Sequence, residues 1–251
     1  MLIGLNRITH TKMFHRIIIM ILITIIIFTV GMVVLRYTVE GESNMPFKLT
    51  KIAVISTSEG KDKEIEGYRW GFDVYQSNDI FLYIDKNQNY KKVEAIKSIN
   101  IENFTFRTNE NSSVNIYKPE GEKGNQMFSN SEENKVEKLE YLGDTESNLK
   151  ELKISNQGGI VVFRCSNDNI AEYKSNEEEE INHSELLKKL NIEEEQIKIE
   201  ISFDLLISLE NGREYKTTIS LNLPIEGVVE HGNAAKEITE LDEFVFKRVK
   251  N

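Results

Sequence analysis

Apolar positions along this chain follow two patterns. From Ile17 to Leu35, nineteen consecutive positions carry no charge, and the run is bounded by Arg16 and Arg36. At about 1.5 Å per residue it spans roughly 28 Å as a helix, close to the roughly 30 Å hydrocarbon core of a bilayer. From Phe47 onward the apolar residues recur mainly at every second position, with β-branched and aromatic types favoured, which is strand spacing. The first pattern predicts a transmembrane helix over 17–35, the second a β-rich remainder.

Within the second region, Phe47-Lys48-Leu49 leads into Ile52-Ala53-Val54-Ile55, Tyr68 to Tyr75 alternates around Trp70, and Ile80 to Ile84 forms a compact apolar run. Val93 to Ile99 and Ile101 to Phe106 read as one long strand or two paired ones. The clearest unit lies between Ile197 and Leu223, where Ile197, Ile199, Ile201, Phe203, Leu205, Ile207 and Leu209 are all odd-numbered. So are Tyr215, Ile219, Leu221 and Leu223 after Asn211-Gly212. A two-residue turn would set odd residues opposite even ones and split the apolar face. A three-residue Glu210-Asn211-Gly212 loop, with Gly212 left-handed, sets Phe203 opposite Ile219 and Ile201 opposite Leu221. This register places Asp204 outward, where its replacement by alanine is expected to be nearly silent.

Two stretches break the alternation. Pro119 to Lys135 mixes Gly, Ser, Asn and Glu without period and reads as a long surface loop. Lys174 to Gln196 contains four consecutive glutamates, Glu177 to Glu180, a solvated run, and then a short helix for which Ser184 is the expected cap, with Lys188 and Lys189 at its C-terminal end. Roughly ten strands with little helix predict a mainly β fold, an antiparallel β-sandwich, with an immunoglobulin-like strand order as the candidate topology. The expected organisation is a cytoplasmic tail over 1–16, a transmembrane helix over 17–35, a linker over 36–46 and an extracytoplasmic β-rich domain over 47–251.

Charge gives the anchor its direction. Arg7, Lys12 and Arg16 precede the run and no acid occurs before Glu40, so the tail is expected in the cytoplasm and the domain outside it. The run exceeds the apolar core of a cleaved signal peptide, and its exit, Gly31-Met32-Val33-Val34-Leu35-Arg36, offers no small-x-small site. Beyond the run, 28 lysines and arginines face 41 acids, about −13, which disfavours nucleic acid as a partner. Five alanines against abundant isoleucine, lysine and asparagine match the usage of an AT-rich bacterial genome.

Candidate chemistry is sparse. Cys165, the single cysteine, ends the apolar stretch Ile160-Val161-Val162-Phe163-Arg164-Cys165. An anchored β-protein with a strand cysteine invites comparison with the sortases, but the threonine-leucine-x-threonine stretch and the upstream histidine are missing. A buried structural thiol is the expectation. His183 and His231 lie in loop-like sequence without metal-ligand spacing. Asp85-Lys86-Asn87-Gln88-Asn89 and Asp144-Thr145-Glu146-Ser147-Asn148 alternate oxygen ligands but lack the glycine and twelfth-position glutamate of a calcium loop, and read as turns. The sequence therefore nominates no catalytic, cofactor or metal residue. The expectation is a non-catalytic binding or structural module of the bacterial cell envelope, with a protein or wall polymer as partner. The alternative is an envelope hydrolase or transpeptidase.

Overall fold

A computed structural model describes residues 18–32, 45–109, 112–120, 127–144, 152–178 and 180–249. Residues 18–32 form helix α1, and all of them except Gly31 are exposed. Its only polar side chains turn back on the helix itself: the Thr24 and Thr29 hydroxyls donate to the carbonyls of Met20 and Ile25 at 2.9 and 2.7 Å. Residue 17 and residues 33–35 of the expected span lie outside the described residues, as do the tail and most of the linker. No described helix is long and apolar enough to cross a membrane.

The rest is two packed sheets. Sheet A has the order β10-β1-β2-β7-β4 and sheet B the order β11-β9-β8-β3-β5-β6. Sheet A comprises β1 (Phe47–Asp62), β2 (Trp70–Lys86), β4 (Ser113–Tyr117), β7 (Gly159–Ser175) and β10 (Asn233–Ile238). Sheet B comprises β3 (Ile96–Thr108), β5 (Leu139–Gly143), β6 (Lys153–Ile154), β8 (Ile199–Leu209), β9 (Glu214–Leu223) and β11 (Lys247–Val249). All neighbours are antiparallel except β5 and β6.

The main core fills the space between the sheets. Ile52, Val54, Ile80, Leu82, Val161 and Phe163 of sheet A meet Ile99, Ile101, Ile201, Phe203, Leu205 and Ile219 of sheet B, none more than 1% exposed. The β8–β9 hairpin has the expected register, Ile201↔Leu221 and Phe203↔Ile219. Gly212 sits at φ 81° and its N–H donates to Leu209 O at 3.0 Å, closing the three-residue loop. Its first strand begins at Ile199 rather than Ile197, because Glu194–Gln196 form a 3-10 turn that leaves Ile197 buried at the strand entrance.

Other expectations need correction. Val93 is 84% exposed and precedes β3, so the strand starts later than expected; β3 is one long strand, the first of the two expected arrangements, with irregular pairing at Ile96/Ser98 and Glu102/Thr105. The second irregularity has consequences for the edge of the sandwich. Asn103 adopts φ 57°, and the extra residue moves the inward face from Ile99 and Ile101 to Phe104 and Phe106. Tyr68 lies outside β2, which instead runs unbroken through Trp70 and Ile84.

Along β1 and β2 the inward face of sheet A turns from apolar to polar. Ser56, Gln76 and Asn78 are fully buried and satisfy one another. Ser56 Oγ donates to Asn78 Oδ1 at 2.7 Å, the Gln76 and Asn78 amides bond reciprocally, and Asn78 also donates to Cys165 O at 3.1 Å. Beyond this layer lies a second apolar cluster around Phe72, Val74 and Tyr173. Its cover comes from the acidic interruption, through Ile181, Leu186 and Leu187, together with Ile197 and with Val228 and Val229 of α3 (Val228–His231). The short helix α2 (Leu186–Lys189) is entered through a 3-10 turn whose cap is Asn182, not Ser184. Asn182 Oδ1 accepts from Ser184 N, and the serine hydroxyl is spent on the same oxygen.

Candidate functional site

Alternation along β7 sends Phe163 and Cys165 into the core and Arg164, Ser166 and Asp168 to the outer face of sheet A. Pairing with β2 sets Arg164 opposite Asp79. The guanidinium makes a two-pronged ion pair, Nε to Oδ1 at 2.6 Å and Nη2 to Oδ2 at 3.1 Å. Its third nitrogen, Nη1, donates to Asn130 Oδ1 at 3.2 Å, and the group lies over the Phe128 ring, 4.9 Å from its centroid. Phe128 and Asn130 belong to the stretch expected to be a free surface loop. In the structure, residues 127–136 form a strap pinned across sheet A, with Phe128 and Asn134 buried; residues 121–126 lie outside the described residues.

Asp168 is the second pin. It accepts from Asn115 and Tyr117 at 2.8 Å, from Ser166 at 2.7 Å and from Asn130 at 3.3 Å. Asp168, Tyr117, Asn130 and Arg164, together with Glu59 and Tyr75, whose hydroxyl donates to Glu59 at 2.6 Å, line a cavity of about 410 Å³. Burial pushes the Tyr75 and Tyr117 hydroxyls up, reinforced by Glu59 and Asp168 respectively, so both stay protonated donors. Burial also holds the Asp79 carboxyl above the usual carboxylate range, against the pull of Arg164. These hydrogen bonds fix the strap.

The groups singled out from the sequence do not converge. Cys165 is fully buried between the sheets, and burial raises its thiol far above the ordinary range. His183 is exposed and rests edge-on against Phe72 in the second cluster, 4.8 Å between ring centroids. Phe72 lies six residues along β2 from Asn78, the partner of Cys165, or roughly 20 Å at strand rise. His231 is also exposed, at the end of α3, where the next residue, Gly232, packs so closely on Ser184 that a side chain there would clash. The two histidines thus share one end of the molecule and Cys165 lies elsewhere. Among the described residues no three His, Cys, Asp or Glu side chains are grouped to hold a metal ion. The first acid-rich stretch forms a turn at Gln88-Asn89, and most of the second lies outside the described residues.

On the other side of the strap is a larger groove, about 670 Å³. The strap follows β4 briefly, with Val136 N donating to Ile116 O and Lys118 N to Asn134 O, both at 2.9 Å, then crosses to β5 in sheet B. Between that crossing and the β3–β4 connection the sandwich is open laterally. Phe104 and Phe106 of β3 line one side, Val114 and Ile116 of β4 the other. In the sequence Phe106 marks only the end of a strand. The signal for the groove was the shift from odd to even apolar positions between Ile101 and Phe104. Compared with protein-family models, with curated proteins and with solved structures, the chain matches none.

Proposed function

We propose that this chain is a membrane-anchored, non-catalytic binding module of the bacterial cell envelope, its β-sandwich held outside the cytoplasm by the helix at 17–35. The observation that carries the binding role is the lateral groove, a concave surface where Phe104, Phe106, Val114, Ile116 and Val136 lie beside polar and charged side chains, a mixture suited to recognition. What supports the anchor is the uncharged run with its basic N-terminal flank, together with the exposure of α1 on every side. An immunoglobulin-like topology is part of the same reading. Taking β1, β2, β3, β4, β7, β8 and β9 in chain order as strands A to G, the sheet orders become A-B-E-D and G-F-C. The strands β5, β6, β10 and β11 extend these two sheets.

The acidic surface favours a protein or wall polymer over nucleic acid as the partner. A thiol-dependent hydrolase or transpeptidase would need a nucleophile beside a base, and Cys165 has neither access nor a histidine within reach. The test is chemical crosslinking in intact cells, followed by membrane isolation and identification of attached molecules. Recovery in the membrane fraction with one specific partner is expected. A soluble form whose N-terminus lies near Val34 to Ser43, or a membrane form with no partner, would overturn the reading.

A further inference from the structure

We infer that the lateral groove is a strand-addition site, where an extended basic peptide pairs with the free edge of β3 and lays an apolar side chain over Phe106. This deepens the binding role proposed above and rests on it. Phe106 belongs to the inward face of sheet B, since its partner on β8 is the fully buried Ile201, yet Phe106 itself is 36% exposed. An inward aromatic without cover is what a bound side chain would complete.

The edge beside it is open. β5 pairs with β3 only from Ser98 to Ile101, so residues 102–108 have no strand on that side among the described residues. That is roughly 20 Å of backbone able to accept a further strand in line with β5. A peptide paired there turns alternate side chains into the groove and the rest outward. The groove therefore requires an apolar residue at every second position. Glu132 and Glu137 outnumber Lys135 among the side chains lining the groove, on a domain with a net excess of acids, so a peptide that carries lysine or arginine between its apolar positions is favoured. Among the described residues β10 also has no strand on one side, but its Ala235, Lys236 and Glu237 are exposed and Glu237 is paired with Lys51 at 2.7 Å, a charged edge that discourages pairing.

The experiment uses the full chain in phosphatidylcholine nanodiscs and a fluorescein-labelled peptide, Lys-Val-Lys-Val-Lys-Val-Lys. Fluorescence anisotropy is expected to rise saturably, and amide hydrogen exchange to slow over residues 102–108. Phe106→Ser should weaken binding by about tenfold or more, and N-methylation of either alternating set of peptide amides should distinguish the peptide's two hydrogen-bonding edges, one set abolishing binding. Unchanged exchange at Phe203 and Ile219 confirms that the variant is folded. Equal binding by both methylated peptides, equal binding to the Phe106→Ser variant, or no saturable binding would each overturn the assignment. Should crosslinking in cells still find one partner that Phe106→Ser does not release, the binding role stands and only its location at β3 falls.

Discussion

Phe163 of sheet A and Phe203 of sheet B meet edge to face across the sandwich, with ring centroids 5.1 Å apart and planes at 82°. Phe104 completes the cluster, 5.4 Å from Phe163 and 5.8 Å from Phe203. The three rings pack among the aliphatic side chains that fill the rest of the space between the sheets. Phe203→Ala should cost about 3–5 kcal/mol and Phe104→Ala, only partly buried, distinctly less. In a double-mutant cycle Phe163 and Phe203 should couple by about 0.5–1.5 kcal/mol. Chemical denaturation checks both; additive effects at 163 and 203 would contradict the contact.

The Arg164–Asp79 pair predicts a pH-dependent defect. Arg164→Met leaves a buried carboxylate without its partner and should cost about 3–5 kcal/mol near neutral pH. Because burial already holds Asp79 high, the defect is present where the carboxyl is ionised and fades as pH falls through its folded pKa toward the unfolded value of about 3.9. Arg164→Met combined with Asp79→Leu should recover much of the loss. Unfolding curves at several pH values provide the measurement, and a defect that grows on acidification would contradict the assignment.

Asp204 behaves in the opposite sense, and the expectation that its loss would be silent is corrected. Its side chain points outward but is only 13% exposed. It accepts from Thr218 at 2.6 Å, Asn103 at 2.8 Å and Lys216 at 3.3 Å. Burial alone would raise its carboxyl, but these bonds together bring it below the usual range. Asp204→Ala should therefore cost about 1–2 kcal/mol. That contribution is present above about pH 4 and is lost as pH falls through the lower folded pKa. Comparing Asp204→Asn with the parent at pH 7 and pH 3 tests it; an equal gap at both would contradict the account.

Cys165 should be silent to thiol reagents in the native protein. It is fully buried, and burial favours the protonated thiol over the reactive thiolate. Maleimide labelling should track unfolding by denaturant, and Cys165→Ala should lower stability while leaving partner binding intact. A folded alanine variant without biological activity would favour the enzyme alternative.

The β8–β9 hairpin was legible because its information is periodic: odd positions on both arms, with Gly212 where the loop needs a positive φ. The strap was not, because it is held by side-chain bonds to Arg164, Ser166 and Asp168 and by two isolated backbone bonds at Val136 and Asn134, which leave no period. A charged residue inside Ile160 to Cys165 was the available hint, since β-alternation sends Arg164 outward and burial then demands an acid. Asn182 displaced Ser184 as the cap because it precedes a 3-10 turn that composition does not announce. The groove depends on one bulge residue, Asn103, and on where β5 stops, and both are settled by tertiary packing.

The most direct test of the binding role is site-specific photo-crosslinking in intact cells, with benzoylphenylalanine placed at residue 106 of the full chain. A matched variant carries it at Ile160, which is also exposed but lies in sheet A outside the groove. One discrete adduct from position 106, absent from position 160, is the predicted result. A folded, membrane-held variant that gives no adduct at 106, or the same adducts from both positions, would contradict it.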